Sequence, residues 1–210
     1  MPRADARRTR QTIAAAAARC FAQVGYQAAG TAQIAAEAGV SEGTIFNHFP
    51  TKQALLVAAL ELGRGEVTAF LDAGPPHEAR SSSLGGADPM QRFVHRASEL
   101  VLNPAFTRST RLASFAIALA DDPEVGDALR HGRDELRQYL STAFREAQAQ
   151  GGVRRDIPAE HVADIALGFS HVAAIELALD PVGAPERMRA LIGSLVLLIG
   201  QPVAEGTIDA

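Results

Sequence analysis

The chain has 210 residues, a formal net charge of −4 and 47% apolar residues, ample for a folded core of one or two domains and against large-scale disorder. A single cysteine, Cys20, excludes an internal disulfide framework and suits a reducing compartment. No apolar leader and no run of roughly 18 or more apolar residues is present, so the expected location is cytoplasmic, without a membrane span.

The first predicted helix covers residues 5–24 and stops at Gly25. Ile13, Ala16, Ala17, Cys20, Phe21 and Val24 fall on one helical stripe, which makes Cys20 a packing residue. Arg3, Arg7, Arg8 and Arg10 cluster ahead of that stripe. Such a cluster reads either as a solvated tail or as an arm that orders on phosphate, and both readings stay open.

Residues 31–49 read TAQIAAEAGVSEGTIFNHF, and their spacing describes two short helices joined by a tight turn. Thr31 is expected to cap the first, in which Ile34, Ala35 and Ala38 recur at helical spacing. Gly39 supplies the left-handed residue that ends it, and Val40 turns back toward the core. Ser41 caps the second helix, which Ile45 and Phe49 anchor from positions four apart. Glu42, Gly43, Thr44, Phe46, Asn47 and His48 are left facing outward or edge-on, an unusual set for a plain solvated helix. A helical hairpin has the same spacing, but this exposed polar and aromatic set suits a DNA major groove. Pro50 breaks the pattern and Thr51 caps a longer helix over residues 51–73. Lys52, the only lysine, stands in its first turn, where the helix dipole offers a cation nothing. A bound phosphate explains it better than helix stability.

From about Arg8 to Leu56, through FAQVGYQAAGTAQIAAEAGVSEGTIFNHFPTKQALL, the order of glycine, aromatic, His-Phe and Lys positions resembles the amino-terminal domain of the tetracycline-repressor (TetR) family of bacterial transcription regulators. The resemblance implies an all-α protein with two parts. Residues 1–50 would form a three-helix helix-turn-helix DNA-binding domain, and residues 51–210 a helical domain for ligand binding and dimerisation. It further implies that Glu42, Gly43, Thr44 and Asn47, with Phe46 alongside, meet base edges on the helix that Ser41 opens, and that Thr31, His48 and Lys52 meet phosphate. Phe46 departs from the family's usual tyrosine. A phenyl ring cannot donate to phosphate, but it can touch a thymine methyl. Charge agrees with a DNA-facing head, since residues 1–60 carry six basic groups against Asp5, Glu37 and Glu42, or +3, leaving −7 for the remainder.

Residues 74–89, GPPHEARSSSLGGADP, read as a loop. Five more helices are predicted at 89–102, 104–120, 123–150, 158–179 and 185–199, each opening on proline, for about nine in all. Asp121 and Asp122 suit a helix start. The last two helices are apolar nearly all round, interrupted in VAAIELAL only by Glu176. They are either internal or covered by another subunit. The resemblance implies the latter, a homodimer through residues 158–179 and 185–199 that places two reading helices about 34 Å apart on a near-palindromic operator.

The resemblance also implies a small-molecule inducer, with Phe93, His95, Phe115, His131, Tyr139, Phe144, Phe169 and His171 as candidate pocket residues, although each aromatic taken singly also suits a core. No cofactor, metal or catalytic constellation is expected. Metalloprotease, paired-cysteine, serine-hydrolase and phosphate-loop motifs are absent, and Ser170 and His171, adjacent on a helix, point about 100° apart. The expected function is sequence-specific transcriptional regulation, as a repressor released by its inducer.

Overall fold

The computed structural model describes residues 3–72, 99–100, 103–180 and 182–200. Its helices, in chain order, are α1 (Arg3–Val24), α2 (Thr31–Ala38), α3 (Glu42–His48), α4 (Lys52–Asp72), α5 (Pro104–Ile117), α6 (Pro123–Ala149), α7 (Ala159–Leu179) and α8 (Ala184–Ile199). Among the described residues the only other regular feature is one antiparallel bridge, Val153 to Gly200. The helix expected at 89–102 lies outside the described residues except for Glu99 and Leu100, which are helical. The expected loop at 74–89 lies wholly outside them.

Local chemistry explains most of the ends. Gly25 and Gly39, at φ 85° and 67°, take the left-handed conformation that closes α1 and α2 without Cβ strain. The Asn103 side chain accepts from the Ala105 amide at 2.8 Å, and Pro104 follows as the first helical residue of α5. Asp122 Oδ1 accepts from the amides of Glu124 and Val125 at 3.0 and 3.1 Å, so it caps α6 as an acidic residue at a helix start should. Pro158 differs from expectation: it is the cap of α7, and the helix proper starts at Ala159.

The chain divides into two compact units, Met1–Ala73 with Leu102–Glu135, and Gly74–Val101 with Leu136–Ala210. In the first unit the alanine-rich face of α1 allows α2, α4 and α5 to approach closely. Ile13, Ala16, Ala17, Cys20, Phe21, Ile34, Ile45, Phe49, Leu56 and Leu112 share one buried cluster. Cys20 is a core residue, and burial pushes its thiol pKa up. Val24, expected on the same stripe, is half exposed because α1 ends there. Gly63 of α4 faces Ser109 of α5, where a Cβ would stand 3.2 Å from the Ser109 Cβ, so the two helices meet nearly backbone to side chain.

In the second unit the end of α6 packs with α7 and α8 around Phe144, Val162, Leu167, Met188, Ile192 and Val196. Arg137 forks onto Asp164 at 2.6 and 3.0 Å and joins α6 to α7. Gln148 holds the turn after α6 by donating to the carbonyls of Arg154 and Ile157. Arg187 reaches both Asp180 and Glu176 at 2.9 Å, so the one charge inside the apolar VAAIELAL run serves to tie α8 to α7.

Burial within the second unit leaves much of these two helices uncovered. Leu179 is 77% exposed and Leu197 85% exposed, with Ile165, Val172, Ile175, Leu191 and Leu198 also in solvent.

Candidate nucleic-acid interface

The candidate interface is built around α3, a helix of only seven residues. So short a helix has little stability alone, and its surroundings must hold it. Ser41 caps it in extended conformation, its Oγ accepting from the Thr44 amide at 3.2 Å and lying 2.8 Å from Thr44 Oγ1. Ile45 and Phe49, both fully buried, fix its inner face in the core, four residues apart as the spacing predicts. Val40 packs against the same core.

With Ile45 and Phe49 turned inward, helical geometry turns Glu42, Gly43, Phe46 and Asn47 to solvent, and Thr44 and His48 lie half-buried at the edges. Phe46 is 50% exposed, an apolar ring displayed to solvent. Glu42, Gly43, Phe46 and Asn47 therefore form an exposed strip, opening on Ser41 and edged by Thr44 and His48.

Thr31 and Lys52 take roles the sequence did not reveal. Thr31 does not cap α2: Gly30 does, without a side-chain bond, and Thr31 is the first helical residue. Its hydroxyl instead donates to the Glu42 carboxylate, tying the start of α2 to the start of α3. Lys52 donates to the Gln27 carbonyl at 3.2 Å and lies over the Tyr26 ring at 4.8 Å, which fastens α4 to the turn after α1. Desolvation at that site lowers the Lys52 pKa. Thr51 caps α4 as expected, accepting from the Ala54 amide at 3.0 Å.

The arginine cluster is not a free tail, because α1 starts at Arg3 and carries Arg7, Arg8 and Arg10 on its first turns. Arg10 reaches the far end of α3, donating from Nη1 to the His48 carbonyl at 2.7 Å, with its guanidinium 4.2 Å from the Phe49 ring centroid. Arg19 pairs with Glu37 of α2 at 2.8 Å. No local signal announces the Arg10 contact, since its partner is 38 residues away in the chain. Tyr26, whose ring packs tilted against Phe21 at 5.3 Å between centroids and also carries Lys52, gives no local signal for the same reason.

The residues named for an inducer pocket do not all belong to one unit. Phe93 and His95 lie outside the described residues. Phe115 and His131 are in the first unit, the ring half-buried with the Arg111 guanidinium 6.0 Å from its centroid, the imidazole exposed. Tyr139, Phe144, Phe169 and His171 are in the second, where Phe144 is fully buried and His171 exposed. Ser170 and His171 both donate to the Leu167 carbonyl, at 2.7 and 2.8 Å, so neither is aimed at the other. Among the described residues no group of three or more His, Cys, Asp or Glu side chains is placed to hold a metal, and no helix is long and apolar enough to cross a membrane.

Residues 13–59 match the family model of the bacterial regulatory proteins, tetR family. The chain is similar to the HTH-type transcriptional repressor KstR of Mycobacterium tuberculosis, at 29% identity over 135 residues, which span 63% of this chain and 54% of that protein. It is also similar to the HTH-type transcriptional regulator UidR of Escherichia coli, at 22% identity over 91% of this chain and 95% of the other. A transcriptional regulator from Saccharomonospora viridis, solved in complex with choline, superposes with a TM-score of 0.71 at 26% identity, over 92% of this chain and 98% of that one.

Proposed function

We propose that this chain, whose residues 13–59 match the tetR family of bacterial regulatory proteins, is a DNA-binding transcriptional regulator of that family rather than an enzyme: a cytoplasmic repressor that binds a near-palindromic operator as a homodimer and leaves it when a small-molecule inducer binds. The observation that carries this reading is the exposed strip on α3, held by two buried anchors and a capped start.

In this reading residues 1–50 are the reading head and residues 51–210 the regulatory body. Glu42, Gly43, Thr44 and Asn47 meet base edges in the major groove, and Phe46 meets a thymine methyl. The Glu42 carboxylate can only accept, so its partners in the groove are exocyclic amino groups. Thr31, His48 and Lys52 meet phosphate, and Thr31 and Lys52 then share or exchange their intramolecular partners for backbone oxygens.

The dimer forms through residues 158–179 and 185–199. The exposed Ile175, Leu179, Leu197 and Leu198 support this, because a lone subunit would leave that apolar area in water. A stable contact of this kind buries about 1,600 Å². Two heads then meet successive turns of one groove face about 34 Å apart.

The inducer acts by preferring a dimer whose heads are wrongly spaced, and a coupling of about 1–3 kcal/mol lowers operator affinity roughly 5- to 150-fold. The choline-bound relative supports a small-molecule site in this fold and leaves the inducer of this chain to be identified by binding. Selection from a random duplex pool tests the whole reading. An inverted repeat with half-sites one turn apart supports it, and the absence of any enriched motif refutes it.

A further inference from the structure

We propose that Arg10 is a positioning residue for base reading: its guanidinium fixes the rotation and height of α3, and it is not one of the phosphate contacts. The inference rests on the reading of α3 as the base-reading helix. It concerns a residue whose place in a basic cluster would otherwise assign it to DNA.

The argument starts from what a seven-residue helix lacks. Ser41 satisfies its first turn and Ile45 its inner face, but the carbonyls of its last turn need donors from elsewhere. The Phe49 amide takes the Ile45 carbonyl at 2.8 Å. The His48 carbonyl takes Arg10 Nη1 at 2.7 Å, a short charge-assisted bond. The same guanidinium lies over the ring of Phe49, the residue that anchors the end of the helix, at 4.2 Å.

A positive charge at this end also complements the helix dipole. One planar cation thus grips α3 at two points, a carbonyl and a ring. Asn47, next to His48, inherits its direction from that grip. A lysine at position 10 would keep the charge but not the combination of fork and stack. That difference separates positioning from phosphate neutralisation.

The test uses the full chain with Arg10→Lys and Arg10→Gln, titrated across a salt series against the duplex recovered by selection and against an unrelated duplex. Positioning predicts that both variants lose about tenfold in operator affinity, the scale of one charged hydrogen bond converted at 1.4 kcal/mol per decade. The unrelated duplex and the Arg10→Lys salt slope stay as in the wild type. Amide hydrogen exchange at Ile45 to Phe49 speeds up in both variants, while the amides of α5 keep their protection.

The proposal is overturned if Arg10→Lys behaves as wild type while Arg10→Gln weakens both duplexes equally and lowers the salt slope by about 0.9, the signature of one phosphate contact. Unchanged exchange in α3 overturns it as well. Should Arg10→Gln fail to fold, Arg10→Lys decides alone, by keeping or losing operator preference. A wild type without preference among duplexes removes the functional reading instead, and hydrogen exchange still reports whether Arg10 holds α3.

Discussion

Lys52 places its ammonium 4.8 Å from the centroid of the Tyr26 ring, and the same nitrogen donates to the Gln27 carbonyl. The only lysine of the chain is thereby held in the first turn of α4 by two neutral partners. Lys52→Met is expected to weaken all duplexes similarly and to reduce the salt slope by about 0.9. It should also cost about 0.5–2 kcal/mol of stability from the lost bond and ring contact. Salt-series titration beside urea unfolding separates the two effects. A stability loss with an unaltered salt slope would show that Lys52 only braces α4.

Gly39 and Gly30 bracket α2 but differ in backbone. Gly39 has φ 67°, where a Cβ is strained, and Gly30 has φ −85°, where it is not. Gly39→Ala is expected to destabilise the protein by about 1–2 kcal/mol, and Gly30→Ala by much less. Urea unfolding midpoints of the two variants check this, and equal midpoints would contradict the turn assignment.

Leu197 and Leu179 are the most directly testable members of the uncovered apolar set, at 85% and 77% exposure. A double substitution, Leu179→Glu with Leu197→Glu, is expected to leave each chain folded and to weaken association by at least tenfold, since each buried carboxylate costs several kcal/mol. Sedimentation velocity over a concentration series reads the change. An unaltered sedimentation coefficient would move the dimer contact elsewhere.

Asp180 accepts from the Gly183 amide and from Arg187, each at 2.9 Å, and these bonds hold its carboxyl pKa below the usual carboxylate range. A depressed folded-state value means the stabilisation is present at neutral pH and is lost as pH falls through that value, below about 4. The stability difference between wild type and Asp180→Asn is therefore widest near neutrality and shrinks in acid. Unfolding curves at several pH values test the direction, and a difference that grew on acidification would contradict it.

What the sequence disclosed were features set by local spacing. Gly39, Ser41, Ile45, Phe49 and Thr51 each act within a few residues of themselves, and each does in the structure what its type and position predict. Contacts across long separations were not legible. Thr31 was read as a cap because its hydroxyl stands beside free amides in sequence, yet the hydroxyl turns to Glu42, and a glycine before it takes the cap. Arg10 was read with its neighbours as a basic cluster because nothing near it in the chain hints at the His48 carbonyl. The apolar sides of α7 and α8 were visible as excess hydrophobicity, but which residues stay uncovered depends on packing that only the fold supplies.

The central claim is that α3 reads bases, and Asn47 tests it most directly because it is exposed and makes no contribution to the core. The measurement is selection from a random duplex pool carried out in parallel with wild type and Asn47→Ala. Relaxed preference at one position of each inverted half-site, with the rest of the motif and its spacing unaltered, is the predicted outcome, at about 1–3 kcal/mol per base pair. Recovery of the same motif with the same stringency by both proteins would contradict it.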